Sequence, residues 1–174
     1  MRNSVSILLL ILSISNSCRN NSQKITSAHS FHNSIHKEYS PNKIIQEQVL
    51  DSIAKIGLFM QINPTAKIDM NSFKQYIESA KSKNIQTISN IEKISEVDEK
   101  INYKSKVLTH LISINNIYDS GIQEFIKILN QDNKEKYSQA AKILMPKLKL
   151  LDQTGKEYEA AKDIFKSKYD IEPE

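Results

Sequence analysis

The chain has 174 residues, a formal net charge of +4, 39% hydrophobic residues and 25% charged residues. That is enough apolar material for one domain with a sizeable core, and too much for a wholly disordered chain. A single cysteine excludes an intramolecular disulfide framework, and no apolar stretch reaches the roughly 20 residues that a membrane-spanning helix needs.

Met1-Arg2-Asn3-Ser4 places one positive charge ahead of the apolar run Val5 to Ile14. A basic start and a short apolar block have the layout of an export signal. Leu8-Leu9-Leu10-Ile11-Leu12 leaves no polar face, unlike a helix packed on a domain surface. Ser15 and Ser17 put small residues at the two positions that a signal peptidase reads, so cleavage after Ser17 would make Cys18 the first residue. Ordinary cleavage would release a soluble protein; acylation of Cys18 would anchor it. The lone exported thiol, with no partner for a disulfide, favours acylation.

The box Ile14-Ser15-Asn16-Ser17-Cys18 resembles the bacterial lipoprotein signal. Ser15 stands where leucine is usual, Ser17 is the expected small residue, and Asn16 is an uncommon neighbour. This pattern is similar to the relaxed lipobox of spirochaetes. Among the 24 basic residues only Arg2 and Arg19 are arginine, and isoleucine and asparagine are abundant. This usage resembles that of the small helical surface lipoproteins of Borrelia-type spirochaetes. The resemblance implies palmitoyl-type acylation at Cys18 and a lipid anchor in the outer membrane, with display at the cell surface. It also implies host ligands such as complement regulators or matrix components. As a motif it covers residues 1–18 and carries across no binding residue.

The basic surplus lies toward this end. From Asp69 to Glu174 there are 17 lysines and 17 acidic residues. A nucleic-acid binder would concentrate positive charge on a recognition element, so no nucleic-acid partner is expected. A mild surplus beside an acylated end is compatible with anionic headgroups.

Residues 18–40 carry few apolar residues and read as an acylated cysteine followed by a disordered, flexible tether, reaching about 26 Å as a coil. Ser40-Pro41 suits an N-cap and a first helical position. Ile45, Val49, Ile53, Ile56 and Met60 then recur at helical spacing and end near Asn63-Pro64. A second helix begins near Asp69 or Asn71, with Phe73, Ile77, Ala80, Ile88 and Ile91 on its inner face and Asn84 interrupting the stripe. Ser95-Glu96-Val97-Asp98 resembles a capping box and breaks the pattern. Ile101, Leu108, Leu111, Tyr118, Ile122, Phe125 and Leu129 mark a third helix.

A last helical stretch carries Tyr137, Ala141, Leu144, Leu148, Leu151, Tyr158 and Phe165. Pro146 should kink it, and Thr154-Gly155 could restart it as a separate helix. Nothing reads as a strand. The expected fold is all-α. Residues 41–174 form an antiparallel bundle of four helices, or five if the last one breaks, after the signal peptide 1–17 and the tether. A coiled-coil dimer is the alternative, because Lys104 and Asn115 fall on the third helix's seam.

His29, His32 and His36 have metal-ligand spacing on a helix, but a tether would have to be ordered to use it, so no metal site is expected. His110, among Leu108, Leu111 and Ile112, reads as a packed histidine rather than a catalytic base. No phosphate loop, zinc-protease motif or nucleophile elbow is present, so no catalytic residue and no cofactor are expected. Two stretches are apolar on more than one face: Val107 to Ile117, and "ILMPKLKLL" at 143–151. Central helices explain both. The alternative leaves part of the second exposed as a partner surface, with Met145 and Leu150 as its candidates.

The expected function is a membrane-anchored, surface-displayed, non-enzymatic binding module for a host or envelope protein. A periplasm-facing structural or assembly lipoprotein and a small-molecule carrier are the other readings. The oligomeric state stays open.

Overall fold

The computed structural model describes residues 2–172, with side chains from Gln23 to Glu172. Its elements are α1 (Arg2–Ile62), α2 (Asn71–Glu92), α3 (Tyr103–Asn116), a π-helical turn (Ile117–Gly121), α4 (Ile122–Leu129) and α5 (Lys136–Tyr169). α3, the π turn and α4 run on as one rod, so four rods make an up-down-up-down bundle. The fold is all-α, with no strand among the described residues. No described helix is long and apolar enough to cross a membrane. The side chains of Ser17 and Cys18 lie outside the described residues.

The apolar stripes meet in one core. Ile77 and Ile91 of α2, Leu111 and Ile114 of α3, and Phe165 of α5 are all essentially fully buried. Leu148, on the same stripe of α5, is only half-buried. Within this core lies a polar ladder. Asn42 Nδ2 donates to Asn84 Oδ1 at 2.6 Å, and Asn84 Nδ2 donates to Leu111 O and to Asn115 Oδ1, each at 2.8 Å. It joins α1, α2 and α3 at one level. Lys104 Nζ, at the bundle's edge, donates to the carbonyls of Glu92 and Ile94 where α2 ends.

Residues 23–40 are not a tether. They are helical and part of the core, so the bundle domain extends to the N-terminal side of Pro41. Ala28, Phe31, Ile35 and Tyr39 are buried and carry α1's stripe on to Val49, Ile53 and Met60. Phe31 meets Tyr103 edge-on at 5.8 Å and Phe165 at 5.2 Å; Tyr39 packs on Tyr158 at 4.8 Å. Pro41 lies inside α1 rather than at its start. The packing on both sides of it outweighs the roughly 3 kcal/mol that an interior proline ordinarily costs.

α3 begins at Tyr103 rather than at the capping box. Asp98 closes a turn instead, its carbonyl accepting from the N–H groups of Ile101 and Asn102. Its Oδ2 accepts from Lys168 Nζ and, at 2.9 Å, from the Tyr169 hydroxyl. The loop before α3 is thereby tied to the end of α5. The Lys168 ammonium holds the Asp98 carboxyl below the usual carboxylate range. α5 is one helix, with Pro146 and Gly155 inside it. A Cβ at position 155 would lie 3.3 Å from His110 Cε1, so this glycine admits the histidine ring rather than restarting a helix.

Candidate binding trough

α5 packs chiefly on α3 and α4, and far less on α1. Beyond the aromatic contacts of Phe31 and Tyr39, the seam between α1 and α5 stays open. Three depressions of about 730, 240 and 600 Å³ follow this seam. Leu50 and Leu148 line both the first and the second; Tyr137, Ala141 and Met145 line both the second and the third. They form one trough. Its α1 wall runs from Tyr39 to Gln61, about 33 Å at 1.5 Å per residue.

Helical periodicity builds both walls. Tyr39, Lys43, Leu50, Ala54 and Gln61 share one face of α1, and Ala141, Leu148, Asp152, Glu159 and Asp163 share one face of α5. Small residues leave the space between the walls unfilled, with Ala54 and Ala141 both lining its middle. Beyond them Tyr137 reaches across to α1, where a Cβ on Gly57 would stand 2.6 Å from its hydroxyl.

The floor of the first depression is aromatic. Tyr39, Tyr158 and His110 pack together, with ring centroids 4.8–6.1 Å apart. Burial pushes the Tyr39 hydroxyl pKa up, and the Glu159 and Glu47 carboxylates push it further. His110 is 4% exposed. Burial lowers its pKa to about 4, with Lys43 adding to the shift and Glu159 opposing it. The Thr154 hydroxyl donates to Leu151 O, so its oxygen is left to accept from His110 Nδ1 at 3.1 Å. That fixes the neutral ring as the Nδ1–H tautomer.

This ring makes stability pH-dependent. Between pH 6.5 and about 4 the unfolded chain binds a proton that the folded chain does not. The stabilisation is complete above pH 6.5 and falls away as the pH drops toward 4. It amounts to about 3 kcal/mol by linkage. His110→Gln should flatten the urea-denaturation profile over that window; an unchanged slope would mean that the ring titrates normally.

The structure separates the other residues singled out from the sequence. Met145 is 51% exposed and sits at the trough's edge, whereas Leu150, 50% exposed, lines none of it. Five residues turn a helix by about 140°, so the two do not share a surface. Of the three histidines, His29 Nε2 pairs with Tyr169 O at 3.2 Å, His32 is buried beside Tyr103, and His36 meets the Ser40 hydroxyl. No group of three metal-ligating side chains occurs among the described residues.

Sequence reasoning missed Gln46 and Glu47. Both lie on the polar side of the α1 stripe, and only their placement opposite α5 gives them meaning. Gln46 Oε1 is buried and accepts no hydrogen bond from the described residues. Comparison with family models, curated proteins and solved structures finds no match to this chain.

Proposed function

We propose that the protein is a membrane-anchored, surface-displayed, non-enzymatic binding module, held by acylated Cys18 and engaging a protein partner through the α1/α5 trough. The anchor rests on the short apolar block, on Ser17 and on the sole cysteine. The binding role rests on one observation: a long seam between α1 and α5 is left open and lined by two helical faces. Helices usually bury such faces against one another. An amphipathic segment laid into a groove is a recurring way of covering them. The lipoprotein resemblance adds host complement regulators or matrix proteins as the partner class.

The test uses the full chain in its own membrane. Acyl mass on Cys18 and cleavage of the bundle by protease added to intact cells are the expected results. Capture of serum or matrix proteins should be lost in Ala54→Arg, which places a long charged side chain in the trough from an exposed position. A Cys18 without lipid, a bundle protected from protease, or capture indifferent to Ala54→Arg would overturn the reading.

A further inference from the structure

The trough is electrically polarised. Its first depression carries Glu47 and Asp163, neither of which has a cationic partner among the described residues. Lys156 Nζ is 2.6 Å from Asp152, and Glu159 is shared by Lys162 at 2.5 Å and Lys43 at 3.9 Å, which leaves the depression net negative. The third depression carries Lys142 and Lys149, with no carboxylate on its walls. Beside it, over the same stretch of α5, an apolar waist leads to the first depression, where Leu50, Ile53, Phe125, Leu144 and Leu148 surround about 240 Å³. Unpaired negative charge therefore stands toward the Tyr39 end of the seam and positive charge toward the Gln61 end, with the apolar waist joining them.

From this order we infer that the trough takes an amphipathic helix from the protein partner, seated parallel to α1. The helix N-terminus lies over Glu47 and Asp163, and its C-terminus over Lys142 and Lys149. A helix of about 20 residues spans the seam. Its macrodipole puts partial positive charge at the N-terminus and partial negative charge at the C-terminus, which matches the two ends of the trough in this direction alone. Basic residues in its first turns and acidic residues in its last turns add to the match. Apolar residues at spacings of three and four enter the waist. An acyl chain would fill the waist but would leave both charged ends unmatched. This inference rests on the trough as the binding face and adds the chemistry and direction of the occupant.

Two synthetic helices of identical composition test it. Both carry the same apolar stripe. One has lysines in its first two turns and glutamates in its last two; the other has these blocks exchanged. By fluorescence anisotropy against the full chain, the lysine-first peptide should bind at least tenfold more tightly, about 1.4 kcal/mol. The control is built in, because the glutamate-first peptide complements its own dipole and is the better free helix. If helicity alone governed binding, the order would reverse. Raising the salt concentration should shrink the difference.

Glu47→Lys with Asp163→Lys and Lys142→Glu with Lys149→Glu, combined in one chain, should invert the preference. All four side chains are exposed, so the fold should tolerate the change. Equal affinities, a glutamate-first preference, or failure of the swapped chain to invert would overturn the inference. So would a dodecyl amphiphile that displaces the lysine-first peptide at equal concentration, or dimerisation of the free chain abolished by Ala54→Arg. Peptide preference without trough-dependent partner capture would leave the inference standing and the proposed function not. The converse result would do the opposite.

Discussion

A chain lacking residues 23–40 should lose its cooperative fold. The segment buries Phe31, Ile35 and Tyr39 in the core, each worth about 1.5–3 kcal/mol by transfer from water. Its aromatic contacts with Tyr103, Tyr158 and Phe165 add about 0.5–1.5 kcal/mol each. Together these approach the roughly 5–15 kcal/mol by which whole domains are stable. Removal also leaves those three partner rings facing water. Loss of a sigmoidal thermal transition, with helical circular dichroism retained in part, is the expected signature. A sharp transition within a few degrees of the intact chain would mean that the segment's packing adds nothing. Phe31→Ala gives the graded version, at about 3–5 kcal/mol.

This segment also shows where the sequence is legible and where it is not. Ala28, Phe31, Ile35 and Tyr39 stand three or four apart and keep phase with Val49 and Ile53. The stripe hid among serines, asparagines and histidines, and Ser40-Pro41 offered a plausible helix start. Phase across the proline was the stronger signal, and His32, nearly fully buried, belongs to the stripe that its polarity concealed. The stripe from Ile101 through Leu111, Tyr118 and Phe125 to Leu129 makes the rod α3–α4 read as one helix, and Ile117, Tyr118, Ile122 and Ile126 are buried on several faces. An apolar band that wide tolerates the phase shift of a π turn without showing it.

The trough was less legible still. Glu47, Asp163, Lys142 and Lys149 look like ordinary solvated charges on their own helices. Their order along the seam exists only once α1 and α5 lie antiparallel. The i,i+4 pairs Lys55–Asp51 and Lys156–Asp152 are what such charges were expected to be.

Asn84→Ala should destabilise the protein by about 3–5 kcal/mol, because one side chain serves three partners. Asn42 and Asn84 are fully buried, so the change leaves the Asn42 amide without its acceptor and Leu111 O without a side-chain donor, both out of reach of bulk water. Each buried polar group left without a partner costs about 1–3 kcal/mol. The alanine also leaves a void where the amide was. Replacing both ends of the short contact, in Asn42→Leu with Asn84→Leu, removes the orphaned amide and refills the volume. That double variant should be more stable than Asn84→Ala, with a coupling energy above about 1 kcal/mol in a double-mutant cycle of the two leucine changes. Stability recovered in this way should come with a loss of register. The ladder aligns α1, α2 and α3 at one level, and leucines at the same positions would bury equally well after α2 slips by a turn. A slip would also move α1 against α5 and blur the trough. The doubly substituted chain should therefore unfold cooperatively yet show broadened amide resonances along α1 and weaker discrimination between the two test peptides. Additive energies, or a single-site cost below about 1 kcal/mol, would show that the ladder is satisfied in some other way and does not set the register.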